Sequence, residues 1–390
     1  MRYVAHLYPD ALLYALMIRA CAGLGSSHSS FQSEPERAVD LFTEMRYQAK
    51  LEPTVGAYNA VILACARKKG WAGEAFRFAR EMVDASRDAR GVARWRPDAK
   101  TFKALLVAAK VSGDLNRARW ILAEMLKSQT DDRMGERAAA PAEIDEEALM
   151  HVFHAYATYK PPFRRADTKI VDGEAANTST KKTDDKSSPE GATSQSHDQS
   201  RDQNRNQMRA VAKPPLANGR FGVVPPQTRK EVLAEVDILF SRMLEDGGRV
   251  SSSPESRSPL THNFTLSRPT SRLVNAYLSV YYAHSTLPTS RAMFRSVFDR
   301  AGVKPTARSY VEALDRCGKA KKSEGDDKYF GKYKRREEGK SNPTPREDAY
   351  AFACELWEEW KDMETSLKKM GSEARLIERA YALMIRVLVM

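Results

Sequence analysis

Apolar residues along this chain fall into short amphipathic stretches that come in pairs, and the first stretch of each pair follows a proline. An aromatic residue stands five positions after that proline and opens an apolar run. Such a run predicts a buried helix. The first three of these prolines are spaced by 44 residues, which indicates an internal repeat. The pairs are Pro9 with Tyr14, Pro53 with Tyr58, Pro97 with Phe102, and Pro305 with Tyr310.

The second stretch of each pair carries alanine, apolar residues three and four positions later, and methionine seven positions later. These spacings place the four side chains on one stripe of an α-helix. We interpret the stripe as core packing. It occurs at Ala38, Leu41, Phe42 and Met45; at Ala75, Phe78, Ala79 and Met82; at Ala118, Ile121, Leu122 and Met125; and, with substitutions, at Val236, Leu239, Phe240 and Met243 and at Ala353, Leu356, Trp357 and Trp360.

Glycine separates the two stretches of a pair, as Gly70 and Gly113 do, and glycine commonly ends a helix. Each unit is therefore expected to be a helical hairpin. One hairpin cannot bury its own stripe, so stacking on its neighbours supplies the core. The sequence predicts an all-α solenoid of helical-hairpin repeats. One six-residue string occurs at both 14–19 and 381–386, and it predicts a further first helix near 375–390.

Three of the four cysteines occupy one position of the repeat. Cys21, Cys65 and Cys317 each lie seven residues after the aromatic of their unit. Free cysteine packs as a small hydrophobic residue, so we predict that these three thiols are buried in equivalent places. No paired spacing indicates a disulfide or a zinc site.

Two polar segments with almost no apolar clusters interrupt the repeats and predict long disordered inserts. The first insert splits one hairpin, whose two helices are expected near 146–159 and 230–246. We predict five parts: N-terminal repeats at 1–159, a disordered insert at 160–228, central repeats at 229–318, a basic disordered insert at 319–346, and C-terminal helices at 347–390.

The net charge of +12 and the pI near 9.4 favour a polyanionic partner. Most of this charge lies in the inserts. Residues 160–220 hold 12 basic and 8 acidic residues, and residues 319–340 hold 9 and 5. Charge alone is therefore weak support for nucleic-acid binding by the repeats.

Together these motifs resemble the pentatricopeptide repeat family. Its first helix opens shortly after Pro-Asp, and its second helix carries alanine and leucine and ends in Glu-Met, as at Glu44-Met45, Glu81-Met82 and Glu124-Met125. The aligned first helices lack the early tryptophan motif of the tetratricopeptide class. The 44-residue spacing is longer than the family's repeat and indicates a degenerate, organellar-type member. The resemblance implies a right-handed α–α solenoid.

The resemblance also implies which side chains would read RNA. In this family one base is read per unit by the residue after the first-helix aromatic and the last residue of the repeat. Only Asn59 with Asp98 matches a strong family pairing, the one associated with uracil. Asn59 has an alternative interpretation as a residue that satisfies local backbone donors. The predicted pairs are Ala15 with Thr54, Asn59 with Asp98, Lys103 with Asp145, and Ser271 with Thr306, while Val311 has no assignable partner.

A basic stretch in the second insert interleaves aromatic and cationic residues, a combination that stacks bases and neutralises phosphates. A solvated linker is the equally open alternative. Its candidate RNA-contacting cations are Lys328, Lys332, Lys334, Arg335 and Arg336.

Motifs for catalysis are not found in the sequence. Gly-rich phosphate loops, zinc-protease motifs and nucleophile elbows are all missing, so we expect no enzyme activity and no cofactor. His151 and His154 lie on adjacent helical turns, but no further ligand set accompanies them, and we assign them a structural role rather than a metal. No apolar run approaches the roughly 18 residues that span a bilayer.

We therefore expect non-catalytic binding of single-stranded RNA, in mitochondrial RNA processing, stability or translation, with ribosomal or RNA-processing proteins as further partners. The mitochondrial location follows from the resemblance alone. The alternative is a protein-interaction scaffold or ribosome-associated subunit that holds protein on the concave face. The uncapped apolar helix at the last residues and the lack of a visible leader also predict an incomplete chain.

Overall fold

The computed structural model describes residues 9–23, 33–89, 91, 93, 95–133, 144–162, 224–249, 269–320, 345–370 and 374–389. Most of both predicted inserts, including Lys328 to Arg336, lies outside the described residues, so their predicted disorder is untested. The described part contains thirteen α-helices and one isolated β-bridge. The helices are α1 (Ala11–Cys21), α2 (Pro35–Tyr47), α3 (Val55–Arg67), α4 (Ala72–Ala85), α5 (Ala99–Ser112), α6 (Leu115–Arg133), α7 (Glu146–Thr158), α8 (Arg229–Arg249), α9 (Ser271–His284), α10 (Leu287–Ala301), α11 (Ala307–Cys317), α12 (Pro345–Met370) and α13 (Ala374–Val389).

The odd-numbered helices form a continuous row. Each one packs against the next odd-numbered helix, from α1 through to α13. The even-numbered helices pack onto this row, and each contacts the first helix of its own hairpin. The predicted all-α solenoid of hairpins is therefore confirmed. We call the surface of the odd-numbered row that faces away from the even-numbered helices the first-helix face.

A capping residue starts six of the first helices. In five of the six, its side-chain oxygen accepts a hydrogen bond from the backbone N–H three residues later, which satisfies a donor that the helix leaves free. The distances are 2.7 Å at Asp10, 2.8 Å at Asp98 and 3.0 Å at Asp145. At Thr306 the N–H three residues later bonds the Thr306 carbonyl, and the Thr306 N–H donates to Ser309 Oγ. In five of the six units the capping residue directly follows a proline, whose ring fixes the chain before the helix begins. The six caps are Asp10, Thr54, Asp98, Asp145, Thr270 and Thr306.

The cap explains the repeat pattern of the sequence. The aromatic residue lies four positions after the cap and points into the core, where it is buried in α1, α3, α5 and α11. Leu149 and Val274 hold the same position in α7 and α9 and are also buried. The predicted core stripes of the second helices are confirmed, with only Leu41 and Trp357 partly exposed.

Gly113 ends α5 in the left-handed conformation, with φ of 71°. Its N–H and that of the next residue bond back to carbonyls of the last helical turn. The chain reverses there, and α6 begins two residues later. The predicted helix stop at this glycine is confirmed.

The cysteine prediction holds for two of the three thiols. Cys65 and Cys317 are fully buried, and burial raises the pKa of each thiol to about 12. Cys21 is only partly buried, so the prediction of equivalent burial is wrong for it. The reason is the number of neighbours: α3 and α11 lie between two first helices, whereas α1 packs on α3 alone in the described part of the row.

A buried ion pair joins α6 to α8, the second helix of the split hairpin. Arg119 of α6 donates through Nε to Glu235 of α8 at 2.9 Å, and both side chains are almost completely inaccessible. Residues 224–228, which the sequence placed in the insert, also make contacts here. Arg119 donates to the Val224 carbonyl at 3.2 Å, and the Tyr159 hydroxyl donates to the Pro226 carbonyl at 3.0 Å. The chain is thus fastened where it returns to the solenoid.

The string shared by residues 14–19 and 381–386 buries different faces in its two copies. Tyr14 is 2% exposed and Leu16 is 54% exposed, whereas the corresponding Tyr381 and Leu383 are 42% and 7% exposed. In the described structure, α1 packs against helices that follow it, and α13 packs against α11 and α12, which precede it. The neighbouring helices, not the local sequence, decide which side chains are buried.

The buried ion pair should control stability. Replacing Glu235→Ala leaves the Arg119 charge buried without its carboxylate, so we expect the free energy of unfolding to fall by about 3–5 kcal/mol in urea denaturation. The double variant Arg119→Met with Glu235→Leu should recover most of this loss, since no charge remains buried. As a control, Glu74→Ala removes an exposed partner of Arg77 and should change stability by about 0.5 kcal/mol or less. Equal losses in Glu235→Ala and the control would contradict the assigned role.

Thiol accessibility should separate the cysteines. In a variant carrying Cys21→Ser and Cys354→Ser, the two remaining thiols are buried and should not react with a thiol reagent such as Ellman's reagent until the protein unfolds. The wild type should release additional product under native conditions because its other two thiols are partly exposed. Rapid labelling of the double variant in buffer would show that α3 and α11 are not packed on both sides.

Candidate nucleic-acid interface

A groove of about 760 Å³ opens on the first-helix face, across α1, α3, α5 and α7. Residues along α3 and α5, Arg19 of α1 and the first two turns of α7 line it. Its polar lining combines cations with amide, carboxylate and imidazole groups: Arg19, Asn59, Arg67, Asp98, Lys100, Lys103, Lys110, Glu147 and His151.

Asn59 and Asp98 meet in this groove. Asn59 is the fifth residue of α3, and Asp98 is the cap of α5. Because the two helices pack side by side, the cap reaches the preceding helix, and Asn59 donates through Nδ2 to Asp98 Oδ1 at 3.0 Å. The Thr101 hydroxyl lies 2.6 Å from Asn59 Oδ1 and 2.8 Å from Asp98 Oδ1. These bonds fix the amide and leave one N–H and one oxygen lone pair of Asn59 for a ligand.

Lys103 holds the equivalent position in α5 and is already neutralised. Its Nζ lies 2.5 Å from Asp145, the cap of α7, and 3.3 Å from Glu147. Burial lowers the pKa of Lys103, but hydrogen bonds and charge attraction from Asp145 and Glu147 outweigh it and leave that pKa above its ordinary value. The structure therefore brings Lys103 and Asp145 together as an ion pair, and the ammonium group is not free to contact a base.

Ser271 does not lie at the helix position that Asn59 holds in α3. It is the first residue of α9, and its hydroxyl donates to the Lys304 carbonyl at 2.8 Å. The fifth residue of α9, which corresponds to Asn59, is Asn275. Sequence reasoning missed it because Val274 replaces the aromatic that marked the other units. The Pro269-Thr270 dipeptide, which matches Pro53-Thr54, was the signal that could have found it.

Asn275 is buried with an unused hydrogen-bonding atom. It is 5% exposed, and its Oδ1 has no hydrogen-bond partner among the described residues. Such orphaned buried oxygens are rare in folded proteins and cost stability. The cap that would face Asn275 is Thr306, but the Thr306 N–H donates to Ser309 Oγ at 3.0 Å.

The remaining predicted readers have little to offer a base. Ala15 is partly buried and has no polar side chain, while Thr54 caps α3 through a 3.3 Å bond from the Ala57 N–H. Met150 takes the reading position in α7, and Val311 takes it in α11, where it is buried. Amide chemistry at this position is therefore confined to Asn59 and Asn275 in the described units.

Four nitrogen-bearing side chains of α3, α5 and α7 form what we call the cation–histidine cluster: Arg67, Lys110, His151 and His154. The first three line the groove. Burial and the nearby Arg67 lower the pKa of Lys110. Burial, and then the charge of Lys110, lower the pKa of both His151 and His154 to about 4. Both imidazoles are therefore neutral at pH 7. Among the described residues no group of three His, Cys, Asp or Glu side chains could hold a metal ion.

The cationic stretch of the second insert, Lys328, Lys332, Lys334, Arg335 and Arg336, lies outside the described residues, so its role in RNA contact stays a prediction. No described helix is both long and apolar enough to cross a bilayer.

The two asparagines should differ in their effect on stability. Asn275→Leu removes a buried, unpaired oxygen, so we expect the free energy of unfolding to rise by about 1 kcal/mol. Asn59→Leu leaves Asp98 and Thr101 without their hydrogen-bond partner, so the free energy of unfolding of this variant should fall by about 1 kcal/mol. Urea denaturation of both variants measures the difference. A loss of stability in Asn275→Leu as large as that in Asn59→Leu would show that Asn275 is satisfied within the protein.

Comparison with known proteins gives a distant structural likeness. No family model matches the sequence, and no curated protein sequence matches it significantly. Among solved structures the chain is similar to the pentatricopeptide repeat protein PPR10 in complex with an 18-nt psaJ RNA element, at 14% identity and a TM-score of 0.23, over 97% of this chain and 51% of that chain. A variant of the same protein with cysteines replaced, in the same type of complex, gives the same values. The chain thus spans about half the length of the structures it matches. Because a TM-score of 0.23 reflects little overall superposition, the helix order and cap positions of this chain carry the solenoid assignment.

Proposed function

We propose that this protein is a non-catalytic, single-stranded RNA-binding solenoid whose RNA lies along the first-helix face. The observation that carries the proposal is the Asn59–Asp98 pair, in which a carboxylate orients an amide at the wall of an open groove. An oriented amide presents a donor and an acceptor together, which suits the edge of a base. The family resemblance of the repeat motifs implies the same class of ligand.

The second unit can read a base. Helical repeats of this class read one base per unit, and Asn59 is a partly exposed amide at the reading position of this unit. The next two units carry the neutralised Lys103 and the apolar Met150, and Asn275 of the fifth unit is buried. The RNA would therefore be read at one nucleotide of this stretch. The resemblance assigns uracil to the Asn59 position.

Contacts with phosphate supply the rest of the affinity. Lys100, Lys110 and Arg67 all line the groove that holds Asn59. Binding should therefore weaken as salt increases, because each neutralised phosphate releases counterions.

We further propose that the RNA is mitochondrial and that the protein acts in its processing, stability or translation, alongside ribosomal or RNA-processing proteins. This part of the proposal rests on the family resemblance of the repeat motifs. Fractionation of the native cells, with immunodetection of the protein beside mitochondrial and cytosolic markers, tests the location.

Fluorescence anisotropy with short single-stranded RNAs tests RNA binding and its reading position. Asn59→Ala should weaken binding to uracil-containing RNA about tenfold, because one base contact contributes roughly 1–3 kcal/mol, while binding to RNA without uracil should change little. The matched control is Asn116→Ala, which removes an exposed asparagine from α6, outside the first-helix face.

Two results would contradict the proposal. An equal loss for all RNA sequences in Asn59→Ala would remove base reading at this position. Failure of the wild-type protein to bind any single-stranded RNA in a salt-dependent manner would favour the alternative, a scaffold whose first-helix face holds protein.

A further inference from the structure

The cation–histidine cluster gathers side chains from three successive first helices. Arg67 is the last residue of α3, Lys110 lies near the end of α5, and His151 and His154 lie one turn apart on α7. The next first helix, α9, contributes Ser279, whose hydroxyl oxygen is 3.5 Å from His154 Nδ1. The cluster therefore extends along the row of first helices, and three of its members, Arg67, Lys110 and His151, also line the groove that holds Asn59.

The nearby carboxylates are already engaged with other cations. Asp145 and Glu147 of α7 both contact Lys103, and Asp145 also caps its own helix. On α11, Glu312 pairs with Arg308 at 2.8 Å. Neither Arg67 nor Lys110 forms an ion pair within the described residues.

Two polar atoms of the cluster have no anionic partner among the described residues. Arg67 donates through Nη1 to the carbonyl of Ala22 at 2.7 Å, a neutral acceptor. His151 Nδ1 is buried and has no hydrogen-bond partner among the described residues. Arg67 is exposed, whereas Lys110 is half-buried. A half-buried ammonium group and an unused buried imidazole nitrogen both become more favourable once an oxyanion is present.

We propose that the cation–histidine cluster is a proton-coupled phosphate site, which binds a phosphodiester group through Arg67 and Lys110 and takes up a proton on His151 or His154 as it does so. The assignment of that phosphodiester to RNA rests on the proposed function. The site itself would recognise the phosphodiester anions of a nucleic-acid backbone, whatever bases that backbone carries.

The sign of the coupling follows from the charges around the imidazoles. In the free protein, burial and the positive charge of Lys110 hold the pKa of His151 and His154 at about 4. Arg308 lowers the pKa of His154 by a smaller amount, and Asp145 raises that of His151 by a smaller amount. An anion bound between Lys110 and the imidazoles offsets that repulsion and raises both pKa values. Since the phosphodiester itself does not titrate above pH 4, the complex takes up a proton that the free protein lacks. Binding must then tighten as pH falls towards the free-protein pKa.

The first experiment uses the whole chain and an abasic sugar–phosphate oligomer, which has phosphodiesters but no bases to protonate. We expect its Kd to be about tenfold lower at pH 5.5 than at pH 7.5, the change produced by one proton taken up over part of this interval. The double variant His151→Gln with His154→Gln should bind with the same Kd at both pH values. His197→Gln, a histidine elsewhere in the chain, is the matched control and should keep the pH dependence.

A second experiment needs no histidine variant. Histidine ring signals in NMR titrations report the pKa of each imidazole, and addition of the abasic oligomer should raise the pKa of His151, His154 or both. Lys110→Met should raise the same pKa values in the free protein, because it removes the nearest positive charge, and should weaken oligomer binding. Lys230→Met, which removes an exposed lysine from α8, should do neither.

The outcomes separate the two proposals. If RNA binds and Asn59→Ala shows selective loss, but oligomer binding is independent of pH and the imidazole signals do not move, the phosphate site is overturned and the proposed function stands. If the oligomer binds with the expected pH dependence and RNA bases add nothing to its affinity, the phosphate site stands and base reading fails. Absence of binding by both probes overturns both.

Discussion

The cap at the start of six of the first helices is the constraint on which the other features of this fold depend. It fixes the residue at which the helix begins, so it also fixes which side chain stands four and five positions later. The fourth points into the core, and in α3 and α5 the fifth, Asn59 or Lys103, lines the groove. Because first helices pack in one row, the cap of each helix also lies against the preceding one. The bond that starts α5 thus also orients Asn59 of α3.

Much of this fold could be predicted from the sequence because its units repeat the same local chemistry. The apolar stripes, the prolines and the glycine at the end of α5 each report a local property of the backbone or of one helix face. Burial of Cys21 depends instead on how many helices surround it, and no local pattern carries that information. The choice of Ser271 misses the helix position that Asn59 holds for a related reason: it relies on an aromatic residue, which Val274 replaces without loss of burial, rather than on the cap.

The candidate site was only partly predictable. The meeting of Asn59 and Asp98 follows from two positions of a known repeat, and the structure adds Thr101 as the residue that fixes the amide. The cation–histidine cluster could not be predicted in this way, because its members come from three units and are up to 87 positions apart in the chain. Sequence shows where charges are, but it does not show which charges have partners. Lys103 and Lys110 lie on the same helix, α5. Within the described residues only Lys103 forms an ion pair.

The two copies of one hexapeptide, at residues 14–19 and 381–386, have a consequence for how substitutions in repeat proteins are compared. A polar replacement of Leu16 falls on a surface, whereas the same replacement of Leu383 falls in a core. Averaging the tolerated substitutions over aligned repeat positions would combine a surface site with a core site and describe neither. In a stacked array the contacts between neighbouring hairpins determine which substitutions a position tolerates. Repeats are therefore best aligned by the contacts that their residues make, not by sequence identity alone.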